Sequence, residues 1–485
     1  INGAKIFGIR PNSPFLFKVA ATGSGNLIYK ADNLPEGLSI DKKTGIITGK
    51  VNTPGKFVVK LKVMNNLGSA ERDLRIKVGE TICLTPPMGW NSWYVYSLWV
   101  SQDKIKQTAK AIYDTDLVNH GWTYVNIDDC WQGRRDKKTN TLQPNPKFAD
   151  MKGLCDYVHS LGLKIGIYST PWIGSYAGYM GTSSPNPEHD YSEWIVDEKD
   201  RLGKYQIFGE PHHLRRRLFK KFGTYYGDED AKQWADWGFD YLKYDWNPND
   251  IENTIKMKES LRKSGRDMVY SLSNSAPFEL VDQLMKHANL WRTTGDIRDL
   301  WISISRIGFS QKKWKPFAGS GHWNDPDMLQ VGFTAQPHKP HDASIPSRLN
   351  PEEQYTQMSL WCLLAAPLLL SCDVARMDKF TLNLLTNDEV IEVNQDPLGD
   401  EAIPVAKKSF PRAEVWAKNM EDGSKAVGLF NRSRFKHRVS VKWSNLEMTG
   451  HKNVRDLWRK EDLGSFNHEF TAKIPGHGVK LIKIF

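Results

Sequence analysis

Acids fall repeatedly at the ends of short apolar runs in this chain. YLKYDWN sets Lys243 and Asp245 two residues apart, and Trp246-Asn247-Pro248-Asn249-Asp250 then breaks the run. A spacing of two puts both side chains on one face of a strand. NIDDCW ends on Asp128 and Asp129, LWRTTGD carries Arg292 and Asp296, HWNDPDM carries Asp325 and Asp327, and MGWNSW ends on Trp93. Buried charge is costly unless it is paired or used, so packing alone explains such a gathering poorly. Two chemistries use it. A divalent cation could take Asp128, Asp129, Asp325 and Asp327. A glycosidase needs two carboxylates across a glycosidic bond, further carboxylates for the hydroxyls, and aromatic rings for the sugar faces. The 18 Trp and the lack of a His-rich ligand set favour the sugar.

The elements that must position these acids alternate in type. From Cys83 onward, eight short apolar runs (MGWNSW, YVNIDD, LKIGIYS, YLKYDW, MVYSLS, LWRTTGD, HWNDPDM, PLLLSCD) are separated by amphipathic stretches such as QDKIKQTAKAIYDTDLVNHG and NTIKMKESLRKSG. Several stretches end on Gly, as helices do. Eight strand–helix units close naturally into a (β/α)8 TIM barrel, whose chemistry sits at the strands' C-terminal ends. Residues 1–80 read instead as short alternating runs between Gly, Pro and Asn turns, an all-β sandwich. After VIEVNQDPLG the period of two returns in AEVWAKN, KAVGLFNR, HRVSVKW and VKLIKIF. The expected division is therefore 1–80, an Ig-like sandwich; 81–397, the α/β barrel; and 398–485, an antiparallel sandwich. An insertion from Tyr176 to Gly227 in the third unit is expected to lie over the barrel mouth and shape access.

Bulk composition excludes several classes. The 485 residues are 40% hydrophobic and 25% charged, ordinary for a globular protein. The net charge of +10 is densest at His212-His213-Leu214-Arg215-Arg216-Arg217, with no nucleic-acid reader motif beside it. A solvated face is its usual reading, and attraction of an anionic glycan the functional one. Five scattered Cys form neither a CxxC nor a zinc pattern, so core thiols are expected. No apolar run is long enough to cross a membrane. A chain that opens on Ile1 suggests removal of a leader, hence an exported protein, periplasmic or secreted.

LTPPMGWNSW, NIDDCW, YLKYDWN, WRTTGDI, GHWNDPDMLQVG and APLLLSCD…NQDPLG, in this order over residues 84–400, resemble glycoside hydrolase family 27. That is the family of α-galactosidases and α-N-acetylgalactosaminidases. LPEGLSIDKKTGIITGKV and the residues after it resemble the immunoglobulin-like module often attached to bacterial glycosidases. The resemblance implies a barrel followed by a β-sandwich, and a retaining exo-α-galactosidase acting on oligo- or polysaccharides with terminal α-galactose. It matches Asp245 to the nucleophile and Asp296 to the general acid/base. Asp128 and Asp129 match the pair that holds O4 and O6, and Trp93, Tyr168, Lys243 and Arg292 match other pocket contacts. Asp325 and Asp327 are expected to brace the mouth, and Lys243 to favour the charge on Asp245. Of the family's disulfides, one position is Cys130 and its partner's is Leu98, so Cys130 is expected to be a free thiol. The other pair falls at Tyr176 and Asn247. In the loop that discriminates at O2, Ser273 and Ala276 stand where N-acetylgalactosaminidases carry Ser and Ala. α-N-Acetylgalactosaminidase is therefore the alternative, beside an α-galactosidase for acidic or sulfated glycans and a sugar-binding protein without catalysis.

Overall fold

The computed structural model describes residues 1–136, 138–184, 220–334 and 344–485. The run at 212–217 and most of the expected mouth-covering insertion lie outside the described residues.

Eight parallel strands form the central sheet: β1 (Met88–Asn91), β2 (Tyr124–Asn126), β3 (Lys164–Ser169), β4 (Tyr241–Asp245), β5 (Val269–Ser273), β6 (Leu290–Arg292), β7 (Trp323–Asp325) and β8 (Leu368–Leu370). β1 to β7 neighbour one another in chain order, and β8 pairs with β1. Closure comes just beyond β7, where Leu329 bridges Leu370 in parallel and its N–H donates to Leu369 O at 2.8 Å. The eight runs picked out in the sequence are these eight strands. A TIM-type barrel is thus the central unit.

The period of two explains the barrel's interior. On β4, Leu242 and Tyr244 pack outward into the main core shared with the helices, whereas Tyr241 joins Val269, Leu290 and Tyr124 in a separate small cluster. Lys243 and Asp245 share Tyr241's face. The inner layer is therefore apolar at the strands' N-terminal ends and polar toward their C-terminal ends. Gly166 is required on β3, because a Cβ there would lie 2.2 Å from Asn126 Oδ1. The helices begin where polar side chains cap them. Ser101, Asp150 and Asp250 each accept from an N–H of the first turn, and Asn350 forms a reciprocal capping box with Glu353.

The first residues form two facing sheets of four and three strands around Ile47, Val59 and Leu74. This Ig-like sandwich docks at the barrel's base, opposite the strands' C-terminal ends. Arg10 pairs with Asp267 just before β5, Asp267 N–H donates to Ser13 Oγ at 2.8 Å, and Asn2 Nδ2 donates to Asn119 O at 3.0 Å. At the other end of the chain, all the strand pairs are antiparallel, in a six-stranded sheet and a facing pair. The helix Pro351–Leu363 is buried on nearly every side between this sandwich and the barrel. Trp458 Nε1 donates to Ser359 Oγ at 2.8 Å across that seam.

Candidate active site

Register sets the polar residues side by side at the C-terminal end of the barrel. Tyr168 on β3 lies opposite Lys243, Asp245 opposite Ser273, and Arg292 opposite Asp325. A cleft opens above them. Asp128, Asp129, Lys243, Asp245, Arg292 and Asp296 supply its charge, and Trp93 and Tyr168 its rings. The two acids fifty-one positions apart in the chain share this one cavity.

Each charge has a stated place. Lys243 Nζ donates to Asp128 Oδ2 at 2.7 Å. Asp129 accepts the N–H of Ala177 at 2.9 Å and of Cys130 at 2.8 Å. Arg292 reaches Asp327 Oδ2 at 2.6 Å and Asp296 Oδ1 at 3.3 Å. Asp327 also accepts from Ile297 N and Met328 N, both at 2.8 Å, and Asp325 Oδ1 accepts from Asp327 N at 2.8 Å. Asp327 therefore ties β7 to the loop after β6, and both acids brace the mouth. The divalent-cation alternative loses its ligands to these bonds. Among the described residues no three His, Cys, Asp or Glu converge at metal-ligand spacing.

Asp245 and Asp296, two of the four carboxylates that line the cleft, differ in environment. Asp245 is 7% exposed; its Oδ2 accepts from Tyr168 Oη at 3.2 Å, and its buried Oδ1 has no partner among the described residues. Burial pushes its pKa up to about 6. Lys243 opposes that rise, while Asp128 and Asp296 add to it. The expected charge-favouring effect of Lys243 is thus present but outweighed, since its direct bond goes to Asp128 and desolvation is larger. The Asp296 side chain, by contrast, is 65% exposed at the rim.

Ser273 does not reach the cleft. It lines a small cavity beneath, with Ser271, Asp325 and Asp327, and Asn274 borders the cleft instead. Ala276 is buried and bonded to the Arg292 carbonyl at 2.8 Å. Ser273 ends β5 in register with Asp245, and Asn274 follows it into the loop that borders the opening. Tyr176, noted in the sequence only as a disulfide position and the start of the insertion, also borders the cleft, as do Tyr94, Asn274 and Met328, which carried no assigned role. Their signal was adjacency, since Tyr94 follows Trp93, Asn274 follows Ser273 and Met328 follows Asp327. Cys130 is a buried free thiol, as expected, and Leu98 packs against the core. At the second disulfide position, Asn247 Nδ2 donates to Asn274 O at 2.9 Å, a hydrogen bond joining the β4 and β5 loops.

Comparison with known proteins agrees with this geometry. The family model described as "Alpha galactosidase A" matches residues 85–206 and 185–396, and the "Alpha galactosidase C-terminal beta sandwich domain" model matches 411–484. An Ig-domain model matches 5–79. α-Galactosidase 2 of Arabidopsis thaliana is 34% identical over 84% of this chain and 91% of its own length. A solved structure from Bacteroides fragilis bearing the α-galactosidase name is 31% identical and covers 100% of this chain and 97% of its own, with a TM-score of 0.84. A GH27 β-L-arabinopyranosidase from Geobacillus stearothermophilus is 28% identical over 83% of this chain and 97% of its own, with a TM-score of 0.67. The chain is a glycoside hydrolase and belongs to the α-galactosidase family, glycoside hydrolase family 27.

Proposed function

We propose that the cleft removes terminal α-galactosyl residues from an oligo- or polysaccharide by double displacement, with net retention. The observation that carries this reading is the unpartnered Oδ1 of Asp245. A buried carboxylate oxygen without a donor costs stability, and a nucleophile aimed at an anomeric carbon gives the reason for keeping it. Asp296, wet and at the rim, is placed to protonate the departing oxygen and then to accept a proton from incoming water. Lys243, Asp128 and Asp129 form a fixed array of charge for the hydroxyls at the far side of the ring. Trp93 and Tyr168 offer faces to its C–H groups.

Two sugars close to galactose test the reading. β-L-Arabinopyranose lacks the hydroxymethyl group of galactose, and N-acetylgalactosamine enlarges the substituent at C2. A site built to bond a hydroxyl rejects the analogue lacking it by roughly 10²-fold or more. The expected order of kcat/KM on nitrophenyl glycosides is α-galactoside first, then β-L-arabinopyranoside and α-N-acetylgalactosaminide. Preference for either of the latter would replace α-galactose as the substrate.

The charge on Asp245 sets the acid side of the pH profile. Its pKa is raised to about 6, so the attacking carboxylate is ionised above that pH and is lost as the pH falls through it. The acid limb of kcat/KM for the free enzyme should have its midpoint near 6. Because Lys243 lowers that pKa, Lys243→Met should move the midpoint upward, whatever it does to the plateau. A limb near 4 in the unchanged enzyme, or one that stays put in the variant, would separate the profile from Asp245.

A further inference from the structure

A second gathering of charge lies outside the cleft, where the helix Trp301–Gly308 meets the C-terminal sandwich. Arg306, Lys407, Arg412 and Arg432 line a groove of about 760 Å3 there, beside Phe309 and Ile302. No carboxylate among the described residues lines it. Arg432 is fixed: its guanidinium sits 4.1 Å from the Phe309 ring centre, donates to Ser305 Oγ at 3.0 Å and pairs with buried Glu414. Glu414 also lies 3.6 Å from Lys407. Glu414 thus answers two of the four cations, and no ion pair among the described residues holds Arg306 or Arg412.

The local chain continues the pattern around the groove. The strands Ala413–Asn419 and Lys425–Asn431 pair with Ala413 opposite Asn431, and Arg432 N–H donates to Arg412 O at 2.8 Å. The segments KKSFPR and RSRFKHR therefore meet at Arg412 and Arg432, and together they carry seven Lys and Arg and no Asp or Glu. Phe410 is 89% exposed and Phe435 71%. Like charges held together repel, and bare phenyl rings gain nothing from water. Folding does not account for the combination; a ligand with many negative charges and apolar faces does.

Position narrows the ligand. The helix Trp301–Gly308 belongs to the same strand–helix unit as Asp296, and Ile302 at the groove's edge is six residues beyond that acid. The groove is therefore built on the same strand–helix unit that carries the acid. We propose that the groove binds the sulfate esters or carboxylates of an acidic polysaccharide that carries the galactosyl residue in the cleft, an inference resting on the galactosidase reading. Arg306 and Arg412 take the anionic groups by charge-assisted hydrogen bonds, and Phe410 and Phe435 take the C–H faces of the sugars. A concave groove admits a single polymer chain, whereas a bilayer surface would touch only its rim.

Binding to dextran sulfate, neutral dextran of equal length and phosphatidylglycerol vesicles tests this, read by titration calorimetry and by retardation in native gels. Dextran sulfate should bind and weaken with salt, and neutral dextran should not bind. The triple variant Arg306→Ala, Lys407→Ala, Arg412→Ala should lose roughly tenfold or more in affinity, while kcat/KM on the nitrophenyl α-galactoside stays within about twofold. Equal binding by variant and parent, equal binding of neutral dextran, or binding of vesicles alone would overturn the proposal. So would loss of binding only when Arg215, Arg216 and Arg217 are changed to Ala. Failure of the galactosidase reading shows separately, as an unchanged enzyme that does not turn over the small galactoside.

Discussion

Asp245→Ala should abolish turnover of α-galactosides, lowering kcat by about 10⁴-fold or more, some 5 kcal/mol of barrier. The covalent route needs an oxygen at the anomeric carbon, and the neighbouring carboxylates among the described residues are held elsewhere. Asp128 is held by Lys243, and Asp327 by Arg292. The loss should not come from unfolding. Asp245 gives the fold one hydrogen bond, at 3.2 Å from Tyr168, and its removal relieves a buried charge that burial already disfavours. Azide separates this account from a structural one. Entering the space the carboxylate leaves, it should restore part of the rate and yield β-galactosyl azide, inverted at C1. A variant that keeps more than about a hundredth of the parent rate without azide would remove Asp245 from the nucleophile's role.

How far the chain could be read in advance depended on which interactions were local. The barrel was legible because each strand carries its own signal: β4 alternates inward Lys243 and Asp245 with outward Leu242 and Tyr244, and Gly238 ends the helix before it. The end sandwiches were legible for the same reason, a period of two between turns. The site was legible where the acid ends a strand, since register then brings Tyr168, Lys243 and Arg292 together across neighbours. It was illegible where the path of the loop after a strand decides. Ser273 and Asn274 differ only in which side of the opening they meet, and no propensity distinguishes them. The balance on Asp245 was hidden too. Lys243 is visible two residues away, but the burial that outweighs it is a sum over the whole barrel. The cationic groove escaped notice because its charges come from Arg306, Lys407, Arg412 and Arg432, scattered in sequence and joined only by the antiparallel pairing of the last domain.

Removal of the second acid should give a different kinetic signature, not merely a smaller rate. Asp296→Ala should lower kcat/KM on natural galactosides by roughly 10²–10⁴-fold, because an alkoxide leaves poorly without a proton. Dinitrophenyl α-galactoside, whose leaving group needs no proton, should keep most of its first-step rate. Its second step should slow, because no base remains to take a proton from water, and a burst of phenol should appear. The fold should tolerate the change. Asp296 is largely exposed, and Arg292 retains Asp327 at 2.6 Å, so no buried charge is left alone. Azide now enters from the opposite face, where Asp296 stood, and attacks the galactosyl-enzyme. It should speed the second step and give α-galactosyl azide, retained at C1. The two variants thus predict azides of opposite configuration, which is the consequence of placing Asp245 beneath the ring and Asp296 at its rim. Equal losses for natural and activated substrates, or the same azide from both variants, would show that the two acids do not work on opposite faces of one sugar.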